Sequence, residues 1–216
     1  MSDEHGAGAF DDAFRASLAE LVRWRRDVRR FRRDPVPAGV VDRVVRLACM
    51  APSVGLSQPW RFVLVESTER RDAVRANFAR ANADALDGYD GERARLYASL
   101  KLSGLDDAPV HLAAFSDEHT ATGSGLGRAT MPETLAYSVV GAIQTLWLAA
   151  RAEGIGVGWV SILDPRAVAR DLDVPAAWRF VAYLCIGYPK EETTIPQLER
   201  AGWETRRPAD DVIFRR

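Results

Sequence analysis

The residues with the clearest chemical potential form an arginine-rich cluster near the amino terminus, Arg25-Arg26-Asp27-Val28-Arg29. A guanidinium is planar and binds phosphates and carboxylates through two parallel hydrogen bonds. The three arginines at 25, 26 and 29 can converge on one dianionic phosphate, each charge-assisted bond contributing about 1.5–3 kcal/mol when desolvated. Such runs are usually a solvated helix face, so the cluster alone is only a weak indication of an anion site.

Other motifs for small-molecule chemistry are absent from the sequence. The nearest matches to a Gly-x-Gly-x-x-Gly dinucleotide fingerprint, at Gly123 and Gly154, reach Arg128 and Trp159 where the third glycine would stand. Neither a Walker loop nor a Gly-x-Ser-x-Gly elbow occurs. The 3 histidines lack metal-ligand spacing and a nearby cysteine partner, so no metal site is predicted.

Hydrophobic periodicity indicates which elements hold the cluster. Apolar residues from Phe14 onward predict a helix that runs into Trp24, with Asp11 or Asp12 as its cap. A second helix, which starts after Pro37 and is stopped by Pro52, is predicted from the apolar residues between positions 40 and 48. Residues 51–59 hold two prolines, a glycine and two serines, which predicts an ordered loop before a strand over residues 60–65.

The rest of the chain continues this mixed order. One or two helices are predicted over residues 68–105, a strand over 110–115 and a loop over 120–130. Residues 134–152 are apolar on most faces, which predicts a helix buried on more than one side. Buried strands are predicted over 156–163 and 180–187, separated by a short helix capped by Asp164. The fold class is therefore predicted to be α+β, with about four strands.

Length and composition limit the class of protein. The 216 residues suit a single domain, which we place at 13–216 after a flexible N-terminus at 1–12. The net charge of −1 favours neither nucleic acid nor an anionic membrane, and without an apolar run of spanning length we expect a cytoplasmic protein. Cys49 and Cys185 lie in apolar contexts that predict buried thiols and no disulfide.

A second motif downstream, taken together with the arginine cluster, indicates a protein family. It reads Ala51-Pro52-Ser53-Val54-Gly55-Leu56-Ser57-Gln58-Pro59-Trp60-Arg61-Phe62. In order and spacing, the two segments resemble the nitroreductase family of FMN proteins, with its Arg-Arg-Ser-x-Arg-x-Phe and Ala-Pro-Ser-x-x-Asn-x-Gln-Pro-Trp-x-Phe motifs. The resemblance covers roughly residues 20–207. It implies a nitroreductase-like fold, in which helices flank a central, mostly antiparallel sheet, and an intertwined homodimer.

Two residues depart from the redox members of that family. Asp27 stands where they usually carry Ser, and Leu56 stands where they usually carry Asn. Both departures are typical of the branch that destroys reduced FMN. The chain also resembles that branch over residues 125–133, 158–162 and 198–203.

The resemblance also implies which residues contact the flavin. Arg25, Arg26 and Arg29 would bind the phosphate and ribityl chain of FMN, with the backbone of Asp27 and Val28 close by. The residues implied to line the flavin are Ser53, Gln58, Leu102 and Ser161. Met131 would cover the site from the partner subunit of the homodimer, or it would pack in the core.

The acidic residue at position 27 suits chemistry that consumes the flavin. Breaking the ring system and ribityl chain of reduced FMN with dioxygen requires several proton transfers around one bound molecule. We therefore expect Asp27 to be the general base and Ser161 to steer the flavin by hydrogen bonding. The alternatives are a structural salt bridge for Asp27 and a hydroxyl bonded to a neighbouring carbonyl for Ser161.

The reaction implied by the resemblance converts reduced FMN and dioxygen to 5,6-dimethylbenzimidazole and erythrose 4-phosphate. Reduced FMN would then be a substrate, and a separate flavin reductase is a candidate for its source. Two other functions remain open. One is an NAD(P)H-dependent nitro- or flavin reductase that retains FMN as cofactor, and the other is a flavin-binding dimer without turnover.

Overall fold

An antiparallel sheet forms the centre of the computed structural model, which describes residues 10–37, 39–100 and 104–216. Its four strands in those ranges are β1 (Trp60–Leu64), β2 (Val110–Asp117), β3 (Gly156–Val160) and β4 (Trp178–Gly187). They lie in the order β1-β2-β4-β3, and every neighbouring pair is antiparallel. The predicted α+β class and the mostly antiparallel sheet are confirmed.

Helices flank the sheet, and several follow from local signals. They are α1 (Asp12–Trp24), α2 (Val40–Ala48), α3 (Thr68–Leu86), α4 (Gly91–Ser99), α5 (Gly104–Asp107), α6 (Thr134–Ala152), α7 (Pro165–Asp171) and α8 (Gln197–Arg200). Asp11 caps α1 by accepting from the N–H of Phe14, and Asp164 caps α7 by accepting from the N–H of Arg166. The predicted bounds of α6 are confirmed, and α2 lies between Pro37 and Pro52 as predicted.

Two hydrophobic cores cover the two faces of the sheet. Side chains alternate along a strand, so Leu112 and Leu184 face one core while Phe115 and Tyr183 face the other. Helices α2 and α6 pack in the first core, and α3 and α7 pack in the second. Residues 111–116 of β2 are all buried because both faces are covered. The sheet is therefore a rigid platform whose outer edge at β3 is available for other segments.

Two local expectations, the end of β3 and the burial of Cys49, are wrong. β3 ends at Val160, so the predicted strand to residue 163 is too long, and Ser161 is exposed instead of lying in a buried strand. Cys185 is buried but Cys49 is exposed. α1 has the expected apolar stripe, yet none of its residues is buried. Since periodicity shows only that a face is apolar, it does not show what covers that face within one protomer.

Candidate active site

The arginine cluster is attached to the outer edge of β3. The N–H of Val28 donates to the carbonyl of Val157 at 3.0 Å, and Asp27 forms an isolated parallel bridge with Val157. The approach is close: a Cβ at Gly158 would lie 2.0 Å from the carbonyl oxygen of Val28, and one at Gly156 would lie 2.6 Å from its Cγ2. Glycines at these two positions therefore let the Asp27 segment lie against the sheet.

Trp147 of α6 holds the same segment from the other side. Its indole N–H donates to the carbonyl of Arg26 at 3.1 Å. The guanidinium of Arg25 lies over the indole ring, 5.1 Å from its centroid, at a distance typical of a cation–π contact. The central helix of the fold thus orients two residues of the cluster.

An open cleft runs along residues 24–30. Trp147 and Arg151 of α6 form part of its wall, and residues between 189 and 200 form another part. An adjoining cleft is lined by Arg25, Arg26, Asp27, Arg29, Pro196, Gln197, Leu198 and Arg206. The segment after β4 therefore closes over the arginine cluster.

Arg25 and Arg26 have the properties of an anion site. Their Nε atoms are buried, and neither has a hydrogen-bond partner among the described residues. Burial, and then repulsion from Arg206, lowers the pKa of both guanidiniums. Unsatisfied donors next to a further positive charge are stabilised by an anion, so these residues fit the phosphate of FMN. No motif or periodicity in the sequence marks Arg206 as a functional residue.

Asp27 lies beside this anion site. One carboxylate oxygen accepts from the N–H of Trp159 at 2.9 Å, and the other is 3.7 Å from the Nε of Arg29. Withdrawal from water raises the pKa of the carboxyl, whereas the Trp159 N–H and the charges of Arg29 and Arg25 act in the opposite direction. The side chain remains 40% exposed, so a ligand can reach it. A reachable carboxylate with a raised pKa can accept a proton.

Ser161 follows β3 directly, two residues after the Trp159 N–H that binds Asp27. It is exposed at the point where the chain leaves the sheet. The hydroxyl and the carboxylate are therefore attached to the same end of the same strand. This placement comes from the end of β3, which the sequence predicted three residues too late.

The loop predicted to line the flavin lies between α2 and β1. The Ser53 hydroxyl accepts from the N–H of Gln58 at 3.0 Å. Leu56 and Gln58 have left-handed φ angles of 54° and 44°, which are rare for residues with a branched or long side chain. Such conformations occur preferentially at functional sites. Asn tolerates them better than Leu does, which fits the Asn of the redox members at position 56.

The structure does not bring every predicted residue to the arginine cluster. Among the described residues, Ser53, Gln58, Met131 and Ser161 do not line either arginine-lined cleft of this protomer. Met131 is 48% exposed, so it is not a core residue. Leu102 lies outside the described residues. The described residues also contain no group of three or more His, Cys, Asp or Glu residues arranged to hold a metal.

The sequence matches the family described as "Nitroreductase family" over residues 22–188, which is more than half of the chain. The chain belongs to the nitroreductase family. The resemblance stated from the two motifs is therefore confirmed. No described helix of this nitroreductase-family protein is long and apolar enough to cross a membrane.

Relatives of this nitroreductase-family protein include enzymes named 5,6-dimethylbenzimidazole synthase. One, from Rhodospirillum rubrum, is 59% identical, with 92% of this chain and 94% of the relative covered. Another, from Rhodobacter capsulatus, is 52% identical, with 93% and 97% covered. Among solved structures, oxidized iodotyrosine deiodinase bound to FMN and 3-iodo-L-tyrosine is similar, with a TM-score of 0.71, 25% identity and 92% and 97% covered.

Proposed function

We propose that this protein fragments reduced FMN with dioxygen, yielding 5,6-dimethylbenzimidazole, the lower ligand of vitamin B12, and erythrose 4-phosphate. Near-full-length relatives at 59% and 52% identity carry the name of that synthase. The structural observation that carries the proposal concerns the carboxyl of Asp27. A ligand can reach this carboxyl, its pKa is raised, and it lies next to the unsatisfied Nε donors of Arg25 and Arg26. A carboxylate at this position supplies a base that the Ser of the redox members lacks.

The arginines would bind the substrate and orient it. Arg25, Arg26 and Arg29 would hold the phosphate and ribityl chain, and Arg206 would add a fourth positive charge from the segment after β4. Reduced flavin supplies the reactivity toward dioxygen when it is bound. Because the phosphate is anchored at the guanidiniums, the rest of the flavin would be held beside the β3 edge.

Asp27 and Ser161 would act on the reacting part of the flavin. Asp27 would accept protons at the carboxylate oxygen that faces Arg29, since the other oxygen is occupied by the Trp159 N–H. Ser161, exposed at the end of β3, would donate or accept a hydrogen bond that sets the orientation of the flavin. Val28 would contribute backbone contacts beside them.

A homodimer would complete the site. Loop residues Ser53 and Gln58 and the exposed Met131 do not line the arginine clefts of their own protomer. Tyr137 and Val140 of α6 are 59% and 42% exposed, and such apolar surface commonly marks an interface. In the proposed homodimer, Ser53, Gln58, Leu102 and Met131 would reach the flavin, and Met131 would do so from the partner subunit.

The decisive experiment supplies the protein with excess chemically reduced FMN in air. We expect irreversible loss of flavin and release of 5,6-dimethylbenzimidazole, identified by mass spectrometry. Complete recovery of oxidised FMN would contradict the proposal. Steady oxidation of NAD(P)H with a retained yellow cofactor would instead indicate a nitro- or flavin reductase, and tight FMN binding without either reaction would indicate a non-catalytic flavin-binding dimer.

A further inference from the structure

A buried asparagine on α3 binds the backbone just after the proposed catalytic serine. Asn77 is 1% exposed. Its Nδ2 donates to the carbonyl of Asp164 at 3.0 Å, and its Oδ1 accepts from the N–H of Asp164 at 2.8 Å. One side-chain amide therefore satisfies both backbone groups of a single residue. A buried polar side chain that is hydrogen-bonded through both its amide nitrogen and its amide oxygen fixes the segment that it binds.

That segment is the connection from β3 to α7, residues 161–164. At its start, Trp159 is held to Asp27 by the backbone bond of 2.9 Å. Inside it, the N–H of Leu163 donates to the carbonyl of Ser161 at 3.0 Å, and Leu163 packs in the same hydrophobic core as Val74, three residues before Asn77. The position of Ser161 is thus determined from both ends of a short connection.

We propose that Asn77 is a positioning residue for Ser161, an inference that rests on the proposed function. By fixing Asp164, the amide of Asn77 holds the connection so that the Ser161 hydroxyl stays at a set distance and angle from the Asp27 carboxylate. Asn77 itself does not touch the flavin. Loss of the amide releases the connection at its α7 end while leaving β3 and the arginine cluster in place.

The chain offers a matched control on the same helix. Arg70 lies seven residues before Asn77, two turns away on the same face of α3. Its guanidinium donates to the carbonyl of Leu172, at the opposite end of α7, at 2.5 Å. Both side chains therefore form hydrogen bonds between α3 and the backbone at the ends of α7, but only Asn77 binds the end next to Ser161. Arg70→Ala removes such a hydrogen bond without changing the contacts of residues 161–164.

The test compares Asn77→Ala, Arg70→Ala, Ser161→Ala and the double variant Asn77→Ala with Ser161→Ala. The readout is benzimidazole formed per reduced FMN oxidised in air, because unproductive oxidation converts reduced FMN and dioxygen to FMN and hydrogen peroxide. We expect Asn77→Ala to lower this yield by about tenfold or more, since small misplacements of reacting groups have effects of that order. Arg70→Ala should keep the wild-type yield, and FMN affinity should stay similar in both.

The double variant distinguishes positioning from general destabilisation. If Asn77 acts through Ser161, the yield of the double variant equals that of Ser161→Ala alone. Equal yields for Asn77→Ala and Arg70→Ala, or additive losses in the double variant, would overturn the inference. If Asn77→Ala is insoluble, Asn77→Asp, which keeps the acceptor for the Asp164 N–H, replaces it in the same comparison. If the wild type releases no benzimidazole, the proposed function fails instead.

Discussion

Two opposing influences act on the pKa of the Asp27 carboxyl. The protein around it withdraws the carboxyl from water and raises its pKa, while the N–H of Trp159 and the charge of Arg29 favour the ionised form. The two influences differ in what they do for catalysis. Desolvation strengthens the carboxylate as a base, and the backbone bond to Trp159 holds it in one orientation.

We predict that Asp27→Asn lowers benzimidazole formation by about 100-fold or more, because general-base catalysis contributes on that order. The amide oxygen can still accept from Trp159, so FMN affinity should change little; fluorescence titration measures it. Asp34→Asn is the control, since Asp34 is exposed and forms an ion pair with Arg32. Undiminished product from Asp27→Asn would show that Asp27 is structural.

The raised pKa of Asp27 predicts how the reaction rate and the stability of the protein depend on pH. The carboxylate is the active form of a base, so the rate should fall as pH drops through the pKa, with an inflection above the ordinary value of 3.8. Because the native state holds this proton more tightly than the unfolded chain, the contribution of Asp27 to stability decreases as pH rises through the same range. Rate profiles of the wild type should show the inflection, and the residual activity of Asp27→Asn should not.

Arg206 permits a test of phosphate recognition by one residue. It lowers the pKa of Arg25 and Arg26 by repulsion, and its loss should weaken FMN binding by about 1.5 kcal/mol, or roughly tenfold. Riboflavin lacks the phosphate, so its affinity should hardly change in Arg206→Gln. Arg207→Gln serves as the neighbouring control. Equal losses for FMN and riboflavin would argue against a phosphate contact.

At the scale of elements, β3 receives the Asp27 segment because glycine leaves room for it. The Cβ of an alanine at Gly158 would lie 2.0 Å from the carbonyl oxygen of Val28, and a backbone atom cannot move aside as a flexible side chain can. We predict that Gly158→Ala destabilises the protein by about 1–3 kcal/mol and displaces Asp27, with loss of product. Urea unfolding measures the first effect. Gly88→Ala, where the nearest atom is 3.4 Å away, should be close to neutral.

The pairing of β2 with β4 buries a histidine that does not take part in the proposed reaction. His111 is 1% exposed, its Nδ1 lies 2.9 Å from the hydroxyl of Tyr183, and burial lowers its pKa from 6.5 to about 4. Below pH 6.5 the unfolded chain binds a proton that native His111 does not, so stability should fall as pH drops from about 6.5 to about 4.

The matching variants are His111→Gln and His119→Gln. His119 is exposed, and its replacement leaves His111 and the acid dependence that comes from it in place. His111→Gln should be less stable than the wild type at neutral pH, because the Tyr183 hydroxyl loses its contact with the imidazole. The same variant should lose less stability than the wild type between pH 7 and pH 5. Urea midpoints at several pH values measure both. An identical acid dependence in the two variants would exclude His111 as its source.

At the scale of the whole molecule, apolar surface remains uncovered in one protomer. Phe14, Leu18 and Val22 of α1 are about half exposed, as are Tyr137 and Val140 of α6. We predict a homodimer by light scattering, and we predict that Tyr137→Glu with Val140→Glu gives monomers with weakened FMN binding. Arg166→Glu changes the net charge by the same amount on α7 and should leave the dimer intact. A wild-type monomer that binds FMN fully would contradict the proposed dimeric site.

Most of the local structure could be predicted from the sequence. The bounds of α6, the cap at Asp164, and the order of strands and helices follow from periodicity and turn residues, which are encoded within a few positions. The motifs around Arg25 and Ser53 were sufficient to identify the family. These features depend on residues that are close in sequence, so one chain is enough to recognise them.

Contacts between residues that are distant in sequence could not be predicted and are seen only in the folded protein. Arg206 approaches Arg25 because the segment after β4 folds back over the cluster, and Asn77 reaches Asp164 because α3 and α7 pack on the same face of the sheet. The raised pKa of Asp27 likewise depends on the protein that surrounds it, whereas the sequence predicted a base at this position only through the family resemblance. Proximity and desolvation arise from packing between elements, and no local pattern encodes them.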